Sequence, residues 1–297
     1  MGLQLPKRAR RVGLGAAVAV SLLLLGACSS DDQAQIRRLA MPEPATDRAP
    51  AIYDLWHGAW LAAIIVGIIV WGLIGYASFA FRRRSDDEIP VQTRYNLPIE
   101  ILYTVAPIVM VLVFFFYTVT TQNEVLAKSV DDGGEPDHVV QVVGQQWSWT
   151  FNYVEDDALD GSTTVHEGGT TADRPTLYLP VGESTQVKLT SPDVIHSFWV
   201  PAFLMKMDVV PGRTNTFEFT PTKEGEFIGR CAELCGAYHS RMLFNVQVVS
   251  AERYADNLQE LEDRGQTGLV TGGADADTQV GIEEEVQDDD TSSEESQ

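Results

Sequence analysis

The sequence predicts a membrane α-hairpin of two transmembrane helices joined to an all-β barrel or sandwich. Three observations carry that prediction. Residues 59–81 and 101–121 are runs without one charged side chain, each long enough to cross about 30 Å of hydrocarbon at roughly 1.5 Å per residue. From Val139 the pattern changes to short alternating stretches: VVQVVGQQWSWTFNYV, TLYLP, TQVKLT, SFWVP, TNTFEFT, EFIGR and LFNVQVV. Pro180, Gly182, Pro211, Gly212 and Gly225 separate them, as expected for many short strands in a small β domain. The third observation is a change of character after Ser250, where fifteen acidic side chains face two arginines and carry most of the net charge of −21.

The elements follow in order. Residues 1–27 read as a lipoprotein signal peptide, with Lys7, Arg8, Arg10 and Arg11 ahead of an apolar stretch at 12–25. Leu25-Gly26-Ala27-Cys28 resembles a bacterial lipobox, which places lipid on Cys28 after cleavage; an uncleaved signal anchor is the other reading. Lipidation of Cys28 leaves Cys231 and Cys235 as the two thiols of the mature chain. Residues 28–55, with Pro42, Pro44 and Pro50, read as an extracytoplasmic linker. Residues 56–122 form the hairpin. Trp56 and Trp60 suit an interfacial belt, and Arg82, Arg83 and Arg84 put the loop between the spans on the cytoplasmic side. The second span returns the chain outside, with a kink expected at Pro107. This topology agrees independently with the lipobox. Glu100 stands just ahead of the second span, where an interfacial carboxylate in water is the ordinary reading and a functional group at a membrane entrance the other.

A polar connector leads to one domain over residues 139–250. The Gly/Thr-rich stretch EDDALDGSTTVHEGGTTADR reads as a surface loop insertion, with His166 solvated there and His57 and His138 solvated elsewhere. Met205 and Met207 read as packing residues. In GQQWSWTF, Trp147 and Trp149 read as alternating strand aromatics, usually core on one face. Residues 251–264 suit one short helix, and the acidic, aromatic-poor chain from Gly265 should be disordered. The tail holds no Cys-x-x-Cys-His, so no haem c domain is fused there.

The densest chemistry lies in Cys231-Ala-Glu-Leu-Cys235-Gly-Ala-Tyr-His239-Ser-Arg-Met242, with His196 offered by a second loop. Thiolates, imidazole and a weak thioether suit copper used for electron transfer. A mononuclear site needs one Cys, and two thiolates can each bridge two metals, so the inventory fits a two-copper cluster better. A Cys231–Cys235 disulfide and a Cys2His2 zinc site are the rival readings, and Met242 beside Leu243 and Phe244 would otherwise be core.

CAELCGAYHSRM with SPDVIHSFWVP upstream resembles the CuA domain of subunit II of haem-copper cytochrome c oxidase, and the resemblance spans roughly residues 50–250. It implies a cupredoxin-like Greek-key barrel or sandwich. It implies Cys231 and Cys235 as bridging thiolates, His196 with Met242 on one copper, and His239 with the Glu233 carbonyl on the other. It also implies a magnesium or manganese ion shared with subunit I through the Glu233 side chain. Trp147 would take the electron from cytochrome c through an exposed indole, and Glu100 would stand at the entrance of a proton pathway. Lys206, Asp208 and Arg213 would lie against subunit I. The implied partners are oxidase subunits I and III, membrane lipid and a c-type cytochrome, soluble or part of a neighbouring bc complex, with no nucleic acid. The implied activity is that of a proton-pumping oxidase whose oxygen site lies in subunit I. Three alternatives stand beside it: a quinol oxidase subunit II without copper ligands, a nitrous-oxide-reductase-type copper domain, and a membrane-anchored copper-delivery lipoprotein.

Overall fold

The structure is a computed structural model that describes residues 29–273 apart from 86, 160 and 162. The expected signal peptide, Cys28 and the acidic segment 274–297 lie outside the described residues. The stretch read as a linker opens with a helix, α1 (Ser30–Arg37), in a compact unit ending at Glu43. Ser29 caps it: its Oγ accepts from the Asp32 N–H at 3.1 Å, and the Asp32 carboxylate accepts from the Ser29 N–H at 3.0 Å.

The two apolar runs form α2 (Ala49–Ala80) and α3 (Leu97–Val125); α2 begins well ahead of its uncharged stretch, and α3 extends past its own at both ends. Pro50 and Pro98 sit in their first turns, where a missing N–H costs no helical bond. Helix α3 runs through Pro107 without interruption. Ser78, Thr104 and Thr118 donate their hydroxyls to the carbonyls four residues back. These three hydroxyls are thus satisfied within their own helices, as hydrocarbon requires. Trp71 and Phe79 are 74% and 79% exposed, which suits surroundings of lipid or apolar neighbours.

Among the described residues ten strands build two five-stranded sheets: β1 (His138–Gln145), β2 (Ser148–Tyr153), β3 (Val165–Gly168), β4 (Thr176–Pro180), β5 (Thr185–Thr190), β6 (His196–Val200), β7 (Met205–Val209), β8 (Asn215–Phe219), β9 (Gly225–Cys231) and β10 (Leu243–Val249). One sheet runs β3-β2-β1-β5-β8 and the other β4-β10-β9-β6-β7. The β1–β5 and β4–β10 pairs are parallel and the rest antiparallel. Between the sheets lie Trp149, Phe151 and Tyr153 of β2 with Phe198 and Phe244, all buried. The rings of Phe198 and Phe244 stack at 4.9 Å. Gly229 is required beneath them, because a Cβ there would come within 1.9 Å of the Phe244 ring. Met205 and Met207 pack on this core as expected.

Three expectations are corrected. The insertion is not wholly loop: β3 forms within it and pairs antiparallel with β2, because Val165 and Leu159 bury their side chains in the core. After the anticipated helix, α4 (Ala251–Asp263), the chain does not become disordered at Gly265. It continues to Gly273 as a strap over the outer face of β2. The Asn152 side chain donates to the Val270 carbonyl and accepts its N–H, at 2.9 and 2.7 Å, and the Gln145 amide makes the same pair with Gly273, at 3.1 and 3.0 Å. These side-chain amides face the way a solvent-facing row would, yet both are buried under the strap.

The third correction is His138. It is 8% exposed, with Nδ1 2.9 Å from Asp156 and Nε2 2.6 Å from Glu183, while Asp156 also accepts the Tyr254 hydroxyl at 2.7 Å. The cluster joins β1, the insertion, the β4–β5 turn and α4. Burial alone would push the imidazole pKa down, but hydrogen bonds to Asp156 and Glu183 and their charges outweigh it and raise it. A raised folded pKa gives stability that is complete below about 6.5 and is lost as pH rises through the higher folded value. The unfolding midpoint of the wild type therefore falls relative to His138→Phe as pH rises above 6.5. Parallel pH profiles of the two proteins in thermal melts would show that the pair contributes nothing.

Candidate metal centre

One end of the sandwich gathers the expected donors. Strand β9 ends at Cys231, and the chain then folds through Gly236, at φ +129°, and a 3-10 turn (His239–Arg241) to Met242 and β10. The Cys231 N–H donates to the Met242 carbonyl at 3.0 Å, and the Ala232 N–H to the Ser197 carbonyl at 2.9 Å, so backbone bonds close this loop at both ends. His196 opens β6, and Phe198 of that strand pairs with Cys231.

Both thiols are free and buried, and their sulfurs are 3.8 Å apart, far beyond the roughly 2.05 Å of a disulfide. Cys231 Sγ lies 3.8 Å from His196 Nδ1 and 3.2 Å from the Glu233 carbonyl oxygen. Cys235 Sγ lies 3.6 Å from His239 Nδ1 and 3.7 Å from Met242 Sδ. Each sulfur thus has two donor neighbours, one from each of the expected pairs. Bond lengths of about 2.0–2.3 Å to nitrogen and sulfur put adjacent donors of a four-coordinate ion roughly 3.5–3.8 Å apart. The donor set therefore fits metal ions between its members, and its soft sulfur and imidazole character suits copper. The thioether of Met242 is fully buried, so it is both core and donor.

Electrostatics separate the thiols. Burial would raise Cys231, but hydrogen bonds from His196 and the backbone bring it down to about 7. Burial pushes Cys235 up to about 12, and the neighbouring Cys231 charge adds to that. Burial would lower His196, yet Asp193 and Cys231 raise it. Asp193 is held down at about 2 against the opposing effect of burial, by His196 and the N–H groups of Gln146 and Val194.

Two positioning residues escaped the sequence reading. Asp193 accepts the His196 Nε2–H at 2.9 Å and the Gln146 N–H at 2.7 Å. This bond fixes the ring so that Nδ1 faces the sulfurs. The Gln146 side chain donates to the Cys235 carbonyl at 2.6 Å. The Asp193-x-x-His196 spacing was the available signal for the first, whereas nothing local marks the second. Trp147 follows Gln146 across a cis peptide bond and is half-buried rather than exposed, since its ring meets Tyr238 edge-on at 5.0 Å and Gly236 lies against it. Its Nε1 has no hydrogen-bond acceptor among the described residues. Trp149 is wholly core, donating to the Met242 carbonyl at 3.4 Å.

The remaining candidates lie elsewhere. The Glu233 side chain is exposed, and so are Lys206, Asp208 and Arg213 on β7 and the turn after it. Glu100 is in the first turn of α3, its carboxylate accepting the Asn96 N–H at 2.8 Å. It stands at the opposite end of α3 from the sandwich, roughly 40 Å along the helix at 1.5 Å per residue.

Comparison with known proteins agrees with this arrangement. The pattern for "Cytochrome C oxidase subunit II, periplasmic domain" matches residues 138–249, and that for "Cytochrome C oxidase subunit II, transmembrane domain" matches residues 34–120. A relative from Streptomyces avermitilis, "Probable cytochrome c oxidase subunit 2", is 46% identical over 90% of this chain and 92% of its own length. "Cytochrome c oxidase subunit 2" of Corynebacterium glutamicum is 33% identical over 79% and 82%. The crystal structure of the periplasmic domain of subunit II of cytochrome oxidase (CoxB) of Bradyrhizobium japonicum is 31% identical and covers 44% of this chain and 96% of that one, with a TM-score of 0.38.

Carboxylates that orient a ligating imidazole typically account for about 10–100-fold in metal affinity. Asp193→Ala should therefore weaken copper binding by that factor in competition with a chelator. Unchanged affinity would show that packing alone holds the His196 ring.

Proposed function

The chain belongs to the cytochrome c oxidase subunit II family, and on that premise we propose that it takes electrons from a c-type cytochrome at a dinuclear copper centre and hands them to haem in subunit I. The observation that carries the reading is the double neighbourhood of each sulfur. Cys231 and Cys235 would bridge two coppers, His196 with Met242 would complete one, and His239 with the Glu233 carbonyl the other. When bound, the pair of coppers supplies a one-electron carrier whose charge change is spread over both ions. The protein holds the donors on two strands and one closed loop, and shields them with Trp149 and Phe198. The exposed Glu233 carboxylate is free to reach a magnesium or manganese ion shared with subunit I.

Trp147 is the residue proposed to receive the electron. Its ring packs on the loop that carries Cys235, and the adjacent Gln146 is bonded to the Cys235 carbonyl. Glu100 is proposed at the entrance of a proton pathway of a pumping oxidase, with Lys206, Asp208 and Arg213 against subunit I. Subunit III, membrane lipid and a donor either soluble or fixed in a bc complex complete the proposed partners. The proposed orientation puts Arg82, Arg83 and Arg84 in the cytoplasm and the sandwich outside, with lipid on Cys28. A quinol-oxidising subunit would not need this donor set, and a delivery protein would not need the family's hairpin.

Copper content and electron paramagnetic resonance of the copper-loaded chain test the centre. We expect two coppers per chain sharing one unpaired electron, lost in both Cys231→Ser and Cys235→Ser; one copper, or a signal that survives either change, overturns the assignment. In the assembled oxidase, Trp147→Ala should slow oxidation of the cytochrome donor at least about tenfold with the copper signal intact. Wild-type kinetics would return Trp147 to a packing role.

A further inference from the structure

The hairpin and the sandwich meet at a small bracket. Ahead of α2, the Ala45 N–H donates to the Ala202 carbonyl at 3.0 Å and the Thr222 N–H donates to the Ala45 carbonyl at 2.9 Å. Asp47 exchanges two bonds with Thr220: its N–H to the Thr220 carbonyl at 2.9 Å, and the Thr220 N–H to its carboxylate at 2.7 Å. Thr46 bridges Pro221 between them. Residues 45–47 therefore extend the sandwich by one short antiparallel segment just before the chain enters α2. After α3, the Ser129 N–H and hydroxyl both donate to the carboxylate of Glu218, a buried residue of β8. Both outer ends of the hairpin are thus fastened near the end of β8.

Arg48 joins those two ends to each other. It is the last residue before α2, and its guanidinium donates from Nη1 to the Glu124 carbonyl at 3.2 Å and from Nη2 to the Ala127 carbonyl at 3.1 Å. Its Nε faces Asp47 at 3.4 Å. The two carbonyls belong to the last turn of α3 and the residues just beyond, where a cation is also favoured by the helix dipole. One planar fork meeting two carbonyls fixes direction as well as distance, which an ammonium group cannot do.

The metal donors all sit on β6, β9 and the loop between β9 and β10. Their position over the membrane is therefore set by how the sandwich is held on the hairpin. Resting on the function proposed above, we propose that Arg48 is a positioning residue for onward electron transfer: by bracing the start of α2 against the end of α3, it fixes the reach from the copper centre to the haem acceptor of the partner subunit. Electron transfer weakens steeply with the separation and orientation of donor and acceptor, so loss of this brace should be read in that step.

The test uses the intact oxidase complex carrying Arg48→Met or Arg48→Lys, with time-resolved absorption separating reduction by the cytochrome donor from onward transfer to haem. For Arg48→Met we expect an unchanged copper spectrum, an unchanged rate of reduction by the donor and onward transfer slowed about 10-fold or more. Arg48→Lys, which can reach one carbonyl, should recover part of the loss. Faster amide exchange at Asp47 and Thr222 in the Met variant, with the sandwich interior unaffected, gives a readout independent of turnover. Should Arg48→Met fail to assemble, the Lys variant decides by the same two rates. Onward transfer at the wild-type rate in an assembled variant overturns the brace. A wild-type complex without a two-copper signal would instead overturn the function on which it rests.

Discussion

Two buried sulfurs held 3.8 Å apart without bonding to each other are the constraint around which the outer domain is arranged. Left alone, vicinal thiols in a flexible loop can approach and oxidise, or drift apart. Here the backbone of Cys231 is tied to Met242, its strand to β6, and the carbonyl of Cys235 to the side chain of Gln146. The separation is thus set by the sheet at Cys231 and by a loop tied down at Cys235. A small all-β domain is suited to this, since side chains on adjacent strands are fixed by the hydrogen-bond ladder.

The core and the centre share atoms. Met242 is a donor neighbour of Cys235 and also a fully buried side chain whose carbonyl receives Trp149 and the Cys231 N–H. Phe244, two residues on, stacks on Phe198 above Gly229. Phe/Trp truncations in such a core cost about 3–5 kcal/mol, and here they would also move ligands. Stability and ligand geometry are therefore not separable at this end of the sandwich, whereas the His138 cluster at the start of β1 stabilises the fold with no part in the centre.

The parts legible in the sequence were those with a short period or a short spacing. Uncharged runs indicated the hairpin, alternation most strands, and the stretch from Cys231 to Met242 the soft donors, whose full set with His196 and the Glu233 carbonyl came from the family resemblance. What escaped depended on partners far along the chain. His138 looked solvated because Asp156, Glu183 and Tyr254 are 18, 45 and 116 residues away. Residues 265–273 looked disordered because their composition is polar and Gly-rich, and the partners that hold them, the amides of Asn152 and Gln145 and the chain at Thr164 and His166, lie about 100 residues or more away. Gln146 carried no signal, since its role is one bond to a carbonyl 89 residues on. The half-burial of Trp147 likewise comes from Tyr238 and Gly236, which no local pattern places beside it.

The strap has a practical side. Gly273 is bonded to Gln145, the residue before Gln146 and two before Trp147, and a Cβ on Gly272 would touch Pro192 in the loop that leads to Asp193. Anything attached beyond it begins its path at the edge of the aromatic turn, not at a remote terminus. For protein engineering this makes the strap at Gly273 a ready tether. A redox module or an electrode linker joined directly after Gly273 starts beside the proposed point of electron uptake.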